Sequence, residues 1–124
     1  LGEGWVTYGP SFDGDGPLGA AQQEEWWLGL ERLVGRFDAA LAEVGRTRPV
    51  DRYLNLDGAP VFSLSSAQTM SEGVERAASL GFTDVVVHWP RAEGVYAGSE
   101  SVLEEVASGL ASLQGVETVA RPAL

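Results

Sequence analysis

Residues 83–91, with the sequence TDVVVHWPR, decide the fold of this chain. The stretch begins as a run of β-branched residues and ends in an imidazole, an indole, a proline and a guanidinium. Such a near-continuous apolar strand is typical of strands buried on both faces, which indicates a parallel sheet covered by helices. Sheets of this kind bind ligands at the carboxyl ends of their strands. His88, the only histidine of the chain, is therefore expected where chemistry would be done.

Three repeats of strand and helix extend along the chain. Strands are predicted at about 4–9, 51–57 and 83–89, and helices at about 21–44, 66–80 and 100–114. In the first helix, apolar residues from Trp26 to Val44 recur every three or four positions and predict a stripe that packs on the sheet. Ser65 and Gln68 have the spacing of a capping box for the second helix. The βαβαβα order implies an α/β fold of three consecutive βα units with parallel strands and right-handed crossovers.

The loops that leave the strands differ from those that lead into them. Long loops rich in Gly, Pro and Asp follow the strands at 9–20, 57–65 and 89–99. Elaborate loops at the carboxyl ends of strands indicate a functional face. Asn55 and Asp57 share the polar face of the second strand and are expected to point toward that end.

Composition and charge exclude several classes of function. The 124 residues suffice for one domain and include neither Cys nor Lys, so disulfides, thiolate nucleophiles, Schiff-base lysines and P-loop lysines are excluded. The formal net charge of −10 disfavours nucleic acid as a partner. No apolar run approaches the ~20 residues of a membrane helix, and no signal peptide is recognised, so a cytoplasmic location without membrane contact is expected. Leu1 in place of a starting Met indicates that residues precede it.

A metal site is not expected. One His without a cluster of carboxylates lacks the ligands that a metal needs. Residues 13–16, with the sequence DGDG, resemble part of a calcium loop. They lack its full spacing and its terminal Glu, and we interpret them as a turn.

Several stretches, taken in order, resemble the bacterial luciferase-like monooxygenases. Residues 2–7, GEGWVT, look like the A/G-D-G-W-V-T segment late in that family. Residues 80–91, LGFTDVVVHWPR, are similar to its closing L-G-(F/V)-T-(D/E)-V-V-V-(H)-W-P-R stretch. Shorter matches follow the family's order at Glu25–Trp27, Gly45–Arg46, Asp51–Leu54, Tyr96–Gly98 and the helix at 101–113. Together these stretches extend over residues 2–113.

The resemblance implies a TIM (β/α)8 barrel that uses reduced flavin, as FMN, or a deazaflavin for oxygenation or hydride transfer on a small organic substrate. A complete barrel takes about 250 residues, so this chain would supply the C-terminal part, strands six to eight. The Gly-rich segment that grips the flavin phosphate, and the strands with the catalytic acids and bases, would precede Gly2. We therefore expect the chain alone to be inactive, and its partner to be the N-terminal part of the barrel or a second copy in a homo-oligomer.

The same resemblance gives expected roles to the residues after the third strand. His88 would be catalytic, as a hydrogen-bond partner of substrate or flavin ring or as a proton shuttle; otherwise it is a polar residue satisfied at the barrel rim. Trp89 would bind the cofactor by stacking on the isoalloxazine ring or wall a substrate pocket, with plain packing as the alternative. Arg91 would pair with a phosphate or carboxylate of the substrate, or is a solvated loop arginine.

Four further residues are expected to bind substrate. Thr7 and Tyr8 end the first strand, where related deazaflavin enzymes contact substrate. Asn55 and Asp57 would point into the mouth of the barrel.

Two other functions stay open. Three parallel strands leave two edges with unpaired backbone groups and one uncovered face, which fits a non-catalytic α/β module that self-associates. An acidic carbohydrate binder that uses its Trp side chains is the third possibility. Titration with reduced flavin separates the first function from the other two, and a panel of glycans tests the third.

Overall fold

A computed structural model describes residues 4–11 and 19–110 of the chain. The strands are β1 (Gly4–Thr7), β2 (Asp51–Asn55) and β3 (Asp84–Val86), and the α-helices are α1 (Ala20–Glu43), α2 (Ala67–Ser79) and α3 (Glu100–Leu110). Short 3-10 turns follow β2 at Leu56–Gly58 and Ser63–Ser65. The predicted turn at 13–16 and the predicted end of the third helix at 111–114 lie outside the described residues.

The three strands form one parallel sheet in the order β1, β2, β3. Val6 of β1 pairs with Tyr53 of β2, which pairs with Asp84 of β3. A helix connects each strand to the next. The α/β class and the parallel pairing predicted from the order of elements are therefore confirmed.

One face of the sheet packs against the helices. This face carries Trp5, Leu54 and Val85, and Trp5 stacks on Phe37 of α1 with ring centroids 4.0 Å apart. Burial of a side chain such as Leu54, which is fully buried, contributes about 1.5–3 kcal/mol. The buried apolar residues of the core are Trp26, Trp27, Leu30, Val34, Leu54, Leu56, Ala59, Phe62, Leu64, Met70, Ala77 and Phe82.

The opposite face of the sheet is bare among the described residues. Because side chains alternate along a strand, it carries Val6, Tyr53 and Val86. Val6 is 62% exposed and Val86 45% exposed, although both lie in a parallel strand. Among residues 4–11 and 19–110 this face is therefore left uncovered at Val6 and Val86, whereas Asn55, which pairs with Val86 at the carboxyl edge, is buried.

Each strand is shorter at its carboxyl end than the sequence predicts. β1 ends at Thr7 because Thr7 Oγ1 accepts a hydrogen bond from Gly9 N–H at 3.0 Å, and Gly9 turns the chain with a φ of +77°. β2 ends at Asn55 because its Oδ1 accepts from Asp57 N–H at 2.9 Å and opens a 3-10 turn. β3 ends at Val86, which pairs with the last residue of β2. The strands thus end two, two and three residues before the predicted ends at about 9, 57 and 89.

Two sequence predictions at the helix ends are also wrong. The N-cap of α2 is Ser66, whose Oγ accepts from Thr69 N–H at 3.0 Å, so the capping box expected from Ser65 and Gln68 does not form. Val44, the expected end of the apolar stripe on α1, is exposed because the helix ends at Glu43.

Candidate functional site

The polar residues predicted on β2 and β3 meet at the carboxyl edge of the sheet. Asn55 closes β2, Asp57 lies two residues later in the 3-10 turn, and His88 follows β3 by two residues. The side chain of Asn55 starts that turn by accepting from Asp57 N–H. A polar residue at the strand end therefore bends the chain and brings Asp57 opposite His88.

Asp57 joins three segments of the chain through its buried carboxylate. Its Oδ1 accepts from Ser63 N–H at 2.9 Å, and its Oδ2 accepts from His88 N–H at 2.6 Å. The same Oδ2 lies 3.2 Å from His88 Nδ1. Both oxygens of the Asp57 side chain therefore act as hydrogen-bond acceptors from backbone N–H groups. The side chain is 0% exposed, so in this structure Asp57 contacts His88 and not solvent.

His88 is held on two sides and open on a third. Its ring stacks on Tyr96 with centroids 4.0 Å apart and an angle of 6° between the planes. Its side chain is 38% exposed. Nδ1 faces Asp57, and within residues 4–11 and 19–110 Nε2 has no hydrogen-bond partner. The imidazole is thus oriented by the protein and presents one nitrogen outward.

A compact loop at 91–98 brings Tyr96 to His88. Arg91 N–H donates to the carbonyl of Tyr96 at 2.8 Å, and Gly98 N–H donates to the carbonyl of Arg91 at 2.9 Å. Gly94 allows the reversal with a φ of +93°. The ring of Tyr96 also contacts Phe62, with centroids 5.7 Å apart. The sequence pattern gives Tyr96 no role, although the Gly residues on either side of it, Gly94 and Gly98, indicate a turn.

The remaining predicted site residues lie around this centre. Thr7 pairs with buried Leu54 and so belongs to the helix-covered face, where its hydroxyl closes the turn at Gly9. Tyr8 is exposed, and its carbonyl packs directly on Gly58 of the 3-10 turn.

Trp89 and Arg91 lie beyond His88 at the surface. The indole of Trp89 is 56% exposed, and its Nε1–H reaches Glu100 Oε1 at the start of α3, at 3.4 Å. Arg91 is exposed, and among the described residues its guanidinium has no ion pair. An exposed indole and an unpaired guanidinium leave both side chains available to a ligand.

A separate cleft of about 390 Å³ lies between α1 and α2. Its walls include Gln23, Glu24 and Trp27 of α1 and Thr69, Glu72 and Arg76 of α2. Arg76 donates two hydrogen bonds to Glu24, one of them at 2.7 Å, and its guanidinium lies 5.3 Å from the centre of the Trp27 ring. These hydrogen bonds lower the pKa of the Glu24 carboxyl below its ordinary value and raise the pKa of Arg76. The pair connects the two helices across the cleft.

Further observations concern the described part of the chain as a whole. No three His, Asp or Glu side chains within it come together as a metal site would require. None of its helices has the length and apolarity to cross a membrane. The comparisons with family models, with curated proteins and with solved structures found no match to this chain.

Proposed function

We propose that this chain is the C-terminal part of a TIM-barrel oxidoreductase of the luciferase-like kind, using reduced FMN or a deazaflavin for oxygenation or hydride transfer on a small organic substrate. One observation supports the proposal above the others. Within residues 4–11 and 19–110, helices cover one face of the sheet, the other face is exposed at Val6 and Val86, and an ordered Asp57–His88 pair lies at the carboxyl edge.

The order of the strands is the first part of that support. In a sheet of order β1, β2, β3, two right-handed crossovers place both connecting helices on the same face. A doubly wound sheet reverses its strand order and so covers both faces. A sheet that continues in one direction buries its second face by closing into a barrel. The exposure of Val6 and Val86 fits the inner surface of an incomplete barrel.

The position of His88 is the second part. Catalytic residues of such barrels come from the carboxyl ends of strands. His88 lies there with one ring nitrogen open, and exposed Trp89 follows it. In the proposed enzyme His88 hydrogen-bonds or exchanges a proton with substrate or cofactor ring, Trp89 stacks on the ring, and Arg91 pairs with an anionic substrate. Tyr8 is exposed at the neighbouring strand end and can contact substrate there.

The residues present fit the ring end of a flavin better than its phosphate end. A flavin supplies the redox chemistry when bound. Recognition of its phosphate needs backbone N–H groups at a helix start or a Gly-rich turn, usually with positive charge. This chain has no Lys and a net charge of −10. We therefore place the phosphate site in the part of the barrel that precedes this chain.

Anaerobic titration with reduced FMN and with a reduced deazaflavin tests the proposal. The complete protein is expected to bind one of them, whereas the 124-residue chain should bind flavin phosphate no tighter than about millimolar, or roughly 4 kcal/mol. In the complete protein, His88→Ala or Trp89→Ala should lower turnover more than cofactor affinity, and Arg91→Ala should mainly raise KM for an anionic substrate. Tight binding by the 124-residue chain, or wild-type turnover in all three variants, would contradict this placement.

The bare face also favours a second candidate, a non-catalytic module that associates through Val6, Tyr53 and Val86. This module would bind neither cofactor in the titration.

The carbohydrate-binding alternative finds less support. Trp26 and Trp27 are buried and Trp5 is stacked in the core, which leaves Trp89 as the exposed indole.

A further inference from the structure

We propose that Asp57 is a positioning residue that holds the His88 imidazole with its proton on Nδ1, so that Nε2 is the atom offered to a ligand. The inference deepens the proposed function and rests on it for the placement of His88 at a ligand site. It also replaces the expectation that Asp57 itself binds substrate.

The first step is that the carboxylate of Asp57 is fully engaged within the chain. Oδ1 accepts from Ser63 N–H, and Oδ2 accepts from His88 N–H. Both donors are backbone groups that cannot reverse their role. The side chain is also fully buried. A ligand at the sheet edge therefore meets Asp57 only through His88.

The second step concerns the proton on the imidazole. Nδ1 lies 3.2 Å from Asp57 Oδ2, and a carboxylate that already accepts from backbone N–H groups can only accept from Nδ1 as well. The neutral ring therefore carries its proton on Nδ1, and Nε2 keeps a lone pair. An orienting carboxylate selects the tautomer of a catalytic histidine in this way.

Packing also holds the ring beside Asp57. The His88 backbone N–H is bonded to the same oxygen as the ring, and Tyr96 covers one ring face at 4.0 Å. Among the described residues, Asp57 and Tyr96 are the titratable side chains for which a contact with the imidazole is seen. When the ring is neutral, Nε2 accepts from a hydroxyl or N–H group of a ligand; when the ring is protonated, Nε2–H donates to an anion.

Nitrogen NMR of the sole histidine tests the inference directly. The 124-residue chain, labelled with ¹⁵N-histidine, gives two ring signals that belong to His88 without assignment by mutation. In the neutral ring, Nδ1–H should predominate over Nε2–H by about tenfold or more, since a charge-assisted hydrogen bond selects it. A dominant Nε2–H form in the wild-type chain would overturn the inference.

Variants separate positioning from packing. Asp57→Asn should remove the tautomer preference, whereas Tyr96→Phe, which keeps the stacked ring, should leave it unchanged. A preference that persists in folded Asp57→Asn would also overturn the inference. Should that variant fail to fold, the wild-type spectrum still decides the point.

Chemical modification tests whether Nε2 is open. An unprotonated, accessible imidazole nitrogen attacks a carbonyl carbon of diethyl pyrocarbonate, becomes ethoxycarbonylated and releases ethyl carbonate. Mass spectrometry of the chain modified in its folded state should locate one adduct on His88. A fully protected His88 would contradict the outward position of Nε2. Neither measurement uses flavin, so a failed flavin titration beside the expected spectra would reject the proposed function alone.

Discussion

At the scale of single residues, short polar side chains define the boundaries of two strands and one helix. Thr7 closes the turn after β1, Asn55 starts the turn after β2, and Ser66 caps α2. Each uses a short oxygen-bearing side chain to satisfy a backbone N–H that the regular element leaves free. The sequence contains these residue types but does not show which one acts. At the start of α2, for example, Ser65 and Ser66 are adjacent, and only Ser66 is the N-cap.

The N-cap of α2 gives a residue-scale prediction. Ser66→Ala should lower the free energy of unfolding by about 1 kcal/mol, because Thr69 N–H loses its acceptor. Ser65→Ala is the matched control: Ser65 is exposed and precedes the cap, so its change should stay within about 0.5 kcal/mol. Denaturant unfolding of both variants makes the comparison. Equal losses would mean that Ser66 is not the cap.

The Glu24–Arg76 pair gives a prediction for acid stability. The pKa of Glu24 is lowered below its ordinary value of 4.5 by the hydrogen bonds from Arg76, so the pair stabilises the fold above that pH. The stabilisation disappears as the pH falls through the lowered pKa. Arg76 stays charged throughout this range, since its own pKa is raised.

Thermal unfolding of Glu24→Gln against wild type measures this effect. The variant should be less stable at neutral pH and equal to wild type once Glu24 is protonated in both states. The difference should be small because the pair is exposed. Glu25→Gln is the control, as Glu25 is exposed beside Glu24 and has no ion pair in the part of the chain described. The same loss in both variants at every pH would assign the effect to net charge.

At the scale of elements, a close approach joins the exit of β1 to the turn after β2. A Cβ placed on Gly58 would lie 1.8 Å from the carbonyl oxygen of Tyr8. The two backbones therefore touch where β1 and β2 end. This contact sets the distance between Tyr8 and the turn that carries Asp57.

Gly58→Ala should accordingly be strongly destabilising, by about 3 kcal/mol or more, because backbone must move to admit the methyl group. Gly35→Ala is the matched control. Nothing lies within 4 Å of a Cβ on Gly35 in α1, and the better helix former should add about 0.5–1 kcal/mol. Urea unfolding of the two variants should shift in opposite directions. A tolerated Gly58→Ala would contradict the close approach.

At the scale of the whole molecule, the exposed apolar face of the described sheet and the acidic net charge have opposite effects on self-association. Val6, Tyr53 and Val86 form an apolar surface that favours association. A net charge of −10 makes copies of the chain repel one another at long range. Docking onto a different part of a barrel would bury this apolar surface. It would also avoid the full electrostatic repulsion between two identical acidic chains.

We therefore predict that the isolated chain is not a stable free monomer, and that salt strengthens its association by screening like charges. Sedimentation velocity at micromolar concentration should show more than one copy. Val86→Asp should shift the chain toward monomer, whereas Val44→Asp, at the exposed end of α1, should not. A compact monomer at low and high salt would contradict the prediction.

The sequence by itself determined the order of elements, the parallel α/β class and the place of His88 after β3. These follow from local periodicity and from the handedness of crossovers, which neighbouring residues encode. The helices begin and end near their predicted positions for the same reason, as far as the described residues extend.

The tertiary structure alone decided which groups meet at the carboxyl edge of the sheet and across the cleft between α1 and α2. Asp57 and His88 are 31 positions apart, and Glu24 and Arg76 are 52 apart. No local pattern relates such residues, because only the folding of successive βα units brings them within hydrogen-bond distance. The stacking of Tyr96 on His88 is likewise a tertiary contact. The sequence of the loop indicates a turn, but it does not indicate which side chain the turn will contact.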